Sequence, residues 1–315
     1  MRSHVIVNAR AARFARNPAL LRDMAQSAEP ARVHITYSFD DLRTACAVAA
    51  QDEAELVVLC GGDGTAMAGV THLSKAHEGR PLPSVCLAPG GHSCTIARYY
   101  GPLRRNPRRH VDEVLAGAAS GRLHPVRRPT LHVCDPYNER IGFIFGAGLV
   151  ASFFEAFYER GGGGYAQASH MIARIVIGSF VGGSLARRIL SPTPCTLRIE
   201  GRAHPNPAFS LIVCAVIKDL GLRLRVTHRA GEDPVRPHLV ASSLGIIQCG
   251  RQYTRVLRAL PLIDARTVDR LVRDFDVDFR SASGSYVLDG DLIRAEHVTV
   301  AAGPEIDVLS LPHGG

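Results

Sequence analysis

The sequence predicts an α/β protein of two domains: a parallel sheet covered by helices, then a β-rich domain. Three observations carry this. The first third alternates apolar strands with amphipathic helices, and after about residue 125 the pattern changes to short alternating runs. Two glycine-rich turns, "GGDGT" and "PGGHS", fall where strands end and helices begin. Regular βαβ alternation gives a parallel sheet, whose ligand site lies at the carboxyl ends of its strands.

Taken in order, "HVIVNA" (4–9) reads as a buried strand and "NPALLRDMAQSA" (17–28) as a helix. "RVHITYS" (32–38) is the second strand and "FDDLRTACAVAAQDEA" (39–54) the second helix, with Leu42, Ala45, Cys46 and Ala49 at helical spacing. "ELVVLC" is the third strand, "TAMAGVTHLSKAHE" (65–78) the third helix and "SVCLAP" (84–89) the fourth strand. In the second part, "TLHVCD", "RIGFIFGAG", "CTLRIEG", "FSLIVCAVI", "RLRVTH", "SYVLDG" and "HVTVAAG" read as strands, with apolar helical material at 149–190. The expected domains are 1–125 and 126–315, the last strands being free to pack back on the first domain. "GGGG" at 161–164 reads as a loop, a flap over a site being the alternative.

Composition bounds the partners. The chain has 315 residues, 46% hydrophobic and 21% charged, and a formal charge of +8, which points to an anionic partner. Nucleic acid is not expected, because the basic residues are not interleaved with aromatics and no nucleic-acid motif occurs. An anionic membrane surface or a polyphosphate fits. The eight cysteines are scattered singly with no CxxC pair, which argues against a zinc site or a disulfide framework and for a reducing compartment. The N-terminus lacks a long apolar run, and the most apolar segment (171–190) is interrupted by Arg174, Arg187 and Arg188. The expectation is a cytoplasmic protein peripherally associated with the inner membrane. A second copy forming a homodimer is a further candidate partner.

"VVLCGGDGTAMAGV" (57–70) places a carboxylate among glycines where a helix starts. Glycines let another group approach the main chain, and a helix N-terminus suits phosphate. Taken alone, the turn is equally a strand-to-helix corner with Asp63 or Thr65 as cap. Neither the Walker pattern nor G-x-G-x-x-G occurs. For "YVLDGDLI" (286–293), a continuing strand would put Asp289 and Asp291 on one face, where they suit a hard cation; a hairpin turn is the alternative.

These stretches together resemble the diacylglycerol kinase catalytic-domain family, which includes sphingosine, ceramide and bacterial lipid kinases. "GGDGT" matches its nucleotide signature, and "VIVNARA" stands where the family has Asn-Pro-x-x-Gly. "LAPGGHSCTIARYYG" (87–101) is similar to its second glycine motif and "LDGD" to its Asp-Gly-Glu. The chain departs from the pattern at Ala9, His92, Cys94-Thr95 and Asp291. The resemblance implies transfer of the ATP γ-phosphate to a lipid's primary hydroxyl with Mg²⁺. Gly61, Gly62, Gly64 and Thr65 would bring N–H groups to the phosphates, with Gly91, His92 and Ser93 as a second wall and Asn8 and Ser38 within reach of the nucleotide. Asp63, Asp289 and Asp291 are the candidate catalytic carboxylates, the last two also the metal ligands. Cys94, beside a helix start, is expected to have a lowered thiol pKa or to be simply packed. Arg104, Arg105, Arg108 and Arg109 form a solvated loop or contact lipid headgroups. The altered second motif gives ceramide or a related sphingolipid weight over diacylglycerol. An NAD kinase is disfavoured for want of its second Asn-Glu motif, and a non-catalytic lipid- or nucleotide-binding protein descended from a kinase is the rival of another class.

Overall fold

The N-terminal unit is built on parallel strands whose order reverses at one point. The computed structural model describes residues 1–26, 31–279 and 284–312. The chain divides into two units, Met1–Arg128 with Glu305–Gly315, and Pro129–Pro304. The first runs β1 (Ser3–Asn8), α1 (Ala12–Ala15), α2 (Pro18–Gln26), β2 (Arg32–Thr36), α3 (Phe39–Gln51) and β3 (Leu56–Gly61). It continues through α4 (Asp63–His77), β4 (Ser84–Pro89), α5 (Thr95–Tyr100), α6 (Pro107–Ala119) and β5 (Val126–Arg128).

The second unit begins β6 (Leu131–Cys134), β7 (Glu139–Gly142), β8 (Ile144–Gly148), α7 (Leu149–Glu159), α8 (Tyr165–Val181) and α9 (Ser184–Leu190). Then come β9 (Thr193–Ile199), β10 (Arg202–Ala203), β11 (Ala208–Phe209), β12 (Leu211–Ala215), β13 (His238–Ser242) and α10 (Ile246–Leu257). It closes with β14 (Val268–Leu271), β15 (Asp274–Phe279), β16 (Ser285–Leu288), β17 (Asp291–Arg294) and β18 (His297–Ala302), after which β19 (Ile306–Val308) returns to the first unit's sheet.

That sheet has the order β2-β1-β3-β4-β19-β5. Strands β1 to β4 are parallel, β19 is parallel to β4, and β5 is antiparallel to β19. From β1 the chain moves out to β2 and then back past it to β3, so the switch point lies between β1 and β3, where open α/β sheets bind ligands. Burial explains the apolar runs. Val5, Val7, Val58 and Cys86 pack under Phe14, Met24, Val111 and Val114 of α1, α2 and α6. The helices α3 and α4 cover the other face. Ser38 caps α3 through a capping box with Asp41, and Asn106 caps α6. Helix α4 starts from Gly62 with no side-chain cap.

The second unit holds two antiparallel sheets, β10-β9-β15-β18-β6-β7 with β11 beside β9, and β14-β13-β12-β8-β16-β17. Phe145 of one meets Phe275 of the other edge-on at 5.5 Å. Helices α7, α8 and α9 form a further core from Ala156, Met171, Ile175, Ala186, Ile189 and Leu190, so the 171–190 segment packs within this unit. Among the described residues no single helix is long and apolar enough to cross a membrane.

The fold class follows the sequence, with local corrections. "RIGFIFGAG" is two strands in different sheets, broken at Phe143, whose N–H turns to Asp289. "RLRVTH" (223–228) forms turns, with Thr227 Oγ1 bonded to Ile217 O and Leu220 N to Leu224 O instead of to a ladder. The first predicted helix ends at Gln26, its residues 27 and 28 lying outside the described residues. Helix α4 begins two residues early, at Asp63, because Gly62 rather than Thr65 is its N-cap. Helices α1, α6 and α10 and strands β5, β10, β13, β14, β15 and β19 have no counterpart in the sequence reading, and α6 takes Arg108 and Arg109 out of the loop read at 103–110.

Candidate functional site

The candidate nucleotide site gathers at the switch point. Strand β1 ends at Asn8, whose Nδ2 donates to Thr65 Oγ1 at 2.9 Å and whose Oδ1 accepts the Arg10 N–H at 2.9 Å. Strand β3 ends at Gly61, and α4 starts at once. Its first turn (Asp63, Gly64, Thr65) presents main-chain N–H groups that have no partner within a helix, at the positive end of the dipole of a 15-residue helix.

The second glycine turn packs directly on the first. The N–H groups of Gly90 and Gly91 donate to Gly61 O at 2.8 and 2.9 Å. A Cβ on Gly91 would lie 2.5 Å from the Gly62 Cα, and one on Gly90 2.8 Å from the Gly61 Cα. These glycines therefore serve close main-chain approach. Gly91 cannot offer its N–H to a phosphate as expected, since Gly61 already accepts it. His92 is exposed, and Ser93 is half-buried.

Asp63, the carboxylate among the glycines, is held by main-chain and hydroxyl donors of the second loop. Its Oδ2 accepts from Ser93 Oγ and from the Thr95 N–H, and its Oδ1 from the Ile96 N–H, all at 3.0 Å. The carboxylate caps α5, whose own N-cap, Cys94, supplies no side-chain cap and sits at φ +48°. Three of its roughly four acceptor positions are thus taken. The Cys94 thiol donates weakly to Gly61 O, and burial, with Asp63 nearby, pushes its pKa up, so of the two readings Cys94 is the packed residue and not the lowered thiol. Ser38 spends its hydroxyl on the Asp41 N–H, so the structure assigns it a helix cap.

Sequence reasoning missed Arg13 and Arg98. Arg13 N–H donates to Gly90 O and its guanidinium to Arg105 O, while Arg98 Nε holds Ser93 O at 2.8 Å. The basic run "ARAARFAR" (9–16) after β1 was the available signal. The other arginine run is internally paired: Arg104 and Arg109 with Glu113, and Arg108 with Asp23 and Asp112.

In the second unit, Asp289 and Asp291 do not share the face of one strand. Strand β16 ends at Leu288, the chain turns at Asp289 (φ +51°) and Gly290 (φ +98°), and β17 begins at Asp291. "DG" is the hairpin dipeptide because both turn residues need positive φ. Buried Asp289 accepts N–H groups from Phe143 (3.1 and 3.0 Å) and Ile144 (2.8 Å), so it ties the hairpin to the break between β7 and β8. A carboxylate occupied in this way does not fit a magnesium ligand. Asp291 differs: its carboxylate accepts no hydrogen bond among the described residues, and burial raises its pKa, partly opposed by Arg140. Tyr158 is beside it, donating to Gly290 O at 2.7 Å, its own pKa raised by burial and by Asp291. Phe143 and Phe145 are core residues, whereas Phe153 and Phe157 stack on one another over the helical cluster.

Among the described residues, two side-chain trios bring metal-type ligand atoms within 4.8 Å of one another: His132, Cys134 and Glu139, and His228, His238 and Asp269. In the second, both ring nitrogens of His238 are engaged, Nδ1 by the Arg229 N–H and Nε2 by Asp269.

Comparison with known proteins bears on the first unit above all. Residues 2–126 match the model of the diacylglycerol kinase catalytic domain. No curated protein sequence matches the chain. Among solved structures, the chain is similar to a diacylglycerol kinase from Bacillus anthracis str. Sterne (TM-score 0.63, 13% identity, covering 99% of this chain and 97% of that one). A second structure from the same organism, described as a diacylglycerol kinase, gives a TM-score of 0.67 at 14% identity over the same shares. At these identities the likeness establishes a common fold.

Proposed function

From the match of residues 2–126 to the diacylglycerol kinase catalytic domain, we propose that the chain is an ATP-dependent lipid kinase that transfers the γ-phosphate to the primary hydroxyl of a membrane lipid. The observation that carries the reading is the start of α4: a glycine-capped helix N-terminus at the switch point of a parallel sheet. The N–H groups of Gly62, Asp63, Gly64 and Thr65 would hold the nucleotide phosphates, with Asn8 fixing Thr65 beside them. Asp63 holds the two glycine loops together and is not the base.

Phosphoryl transfer needs positioning and charge neutralisation more than covalent help. Asp291 is the proposed proton acceptor for the lipid hydroxyl, since burial shifts its pKa toward the working range of a general base. Mg²⁺, when bound, supplies charge neutralisation on the phosphates, and sites for it are commonly made of the phosphates themselves with one or two carboxylates. Asp289, its carboxylate engaged by the N–H groups of Phe143 and Ile144, does not fit that part, and Asp291 is proposed only as the base. The preference for ceramide or a related sphingolipid over diacylglycerol rests on the altered second loop, where Cys94 and Thr95 replace the family's Asn-Asp. A lipid acceptor implies work at the inner face of a membrane as a peripheral protein.

A second reading, a non-catalytic lipid- or nucleotide-binding protein, is favoured by one observation: Asp63 and Asp289 both spend their carboxylates on main-chain N–H groups. Transfer of labelled γ-phosphate into mixed micelles of ceramide, sphingosine, diacylglycerol and undecaprenol separates the readings. Label in ceramide supports the preferred substrate and label in diacylglycerol moves it. Nucleotide binding without label in any lipid replaces the kinase reading with the binding-protein one.

A further inference from the structure

Helix α8 is apolar on two sides: one packs into the helical core with α9 and α10, the other stays largely exposed. Met171, Ile175 and Gly178 face the helical core. On the outer side Arg174, Ile177, Phe180 and Val181 follow one another at helical spacing, and Ile177, Phe180 and Val181 are 64%, 51% and 76% exposed. A helix that only covers a core keeps its outer face polar. A contiguous apolar stripe at a helix end needs an occupant.

The sequence that carries this stripe has charge of one sign. No Asp or Glu occurs anywhere from residue 161 to residue 199. Arg174 and Arg187 are exposed and make no ion pair among the described residues, whereas Arg188 is held by Glu159. At Gly182 and Gly183 the chain bends by 99° into α9, so the apolar end of α8 is a corner, with Arg187 on the helix that leaves it. Helix α8 is about 25 Å long, short of the roughly 30 Å hydrocarbon core. An apolar corner flanked by two unpaired arginines matches an anionic bilayer surface: rings and branched side chains enter the headgroup boundary while guanidinium groups stay among the phosphates.

We propose that the end of α8, with Ile177, Phe180 and Val181 as inserting residues and Arg174 and Arg187 as headgroup contacts, docks this protein on anionic lipid bilayers. The inference deepens the lipid-kinase reading by naming the surface that meets the membrane. Vesicle flotation reads it without catalysis, so each can fail alone.

The test is flotation with phosphatidylcholine vesicles that either lack or contain about one-third phosphatidylglycerol. The wild-type chain is expected to float with the anionic vesicles and far less with neutral ones. Phe180→Ser with Val181→Ser should weaken flotation at least about tenfold, and Arg174→Gln with Arg187→Gln about fivefold per arginine at low salt. All four positions are exposed, so the melting temperature of each variant should stay that of the wild type. No flotation of the wild type, equal flotation with both vesicle types, or unchanged flotation of the serine variant overturns the proposal. So does a dimer seen by light scattering that the serine variant dissociates, because the occupant is then a second copy.

Discussion

Asp63 lies in the first turn of α4, yet its Oδ1 accepts the main-chain N–H of Ile96, in the first turn of α5, at 3.0 Å. One carboxylate thus serves the positive ends of two helices and fixes the second glycine loop against the first. Asp63→Ala removes this cap and leaves the N–H groups of Thr95 and Ile96 unpaired. It should lower stability by about 1–2 kcal/mol, read as a melting temperature several degrees lower, and raise the KM for ATP as the loop loosens. An unchanged melting temperature would deny the cap.

Gly91→Ala tests the close approach of the loops. Its Cβ would sit 2.5 Å from the Gly62 Cα, and a backbone neighbour cannot rotate away. We expect ATP affinity to fall at least about tenfold, with far-ultraviolet circular dichroism unchanged. Gly79→Ala, at a turn where a Cβ meets nothing but φ is +83°, should cost stability alone.

Asp289 should behave as a structural residue. Asp289→Ala leaves the buried N–H groups of Phe143 and Ile144 without acceptors and puts a β-carbon residue other than Asn or Asp at φ +51°. The expected loss is about 2–3 kcal/mol in urea unfolding. Asp289→Asn keeps an acceptor oxygen and tolerates the left-handed region, so it should lose roughly half as much.

Asp291 carries the pH dependence. Its folded-state pKa is raised by burial, so the unfolded chain gives up this proton at a lower pH than the folded one. The group's contribution is therefore full below the ordinary carboxyl pKa and is lost as pH rises through the raised value. Asp291→Asn should stabilise the fold at neutral pH relative to wild type, and the difference should vanish in acid, as thermal melts across pH will show. As a base the group must be ionised, so kcat/KM should fall on the acid side at a pH above that of an ordinary carboxylate.

The sheet, its helices and both glycine turns were legible because glycine clusters and apolar periodicity are local signals. What the turns do was not. The Asp63 cap joins residues 32 and 33 apart, and no local pattern shows that Thr95 and Ile96 lack a cap of their own. The Asp289 turn was written in the sequence as "DG", but the family likeness drew the reading toward one continuous strand. The break at Phe143 was invisible, because "RIGFIFGAG" alternates as one strand would and only the Asp289 carboxylate explains where it divides.

The most direct test of the account compares steady-state lipid phosphorylation by Asp63→Asn and Asp291→Asn, with kcat and the KM for ATP measured separately. The account predicts that Asp63→Asn raises KM and lowers the melting temperature while retaining much of kcat, and that Asp291→Asn loses at least about a hundredfold in kcat with KM unchanged. Full kcat in Asp291→Asn, or loss of kcat in Asp63→Asn with KM and melting temperature intact, would contradict it.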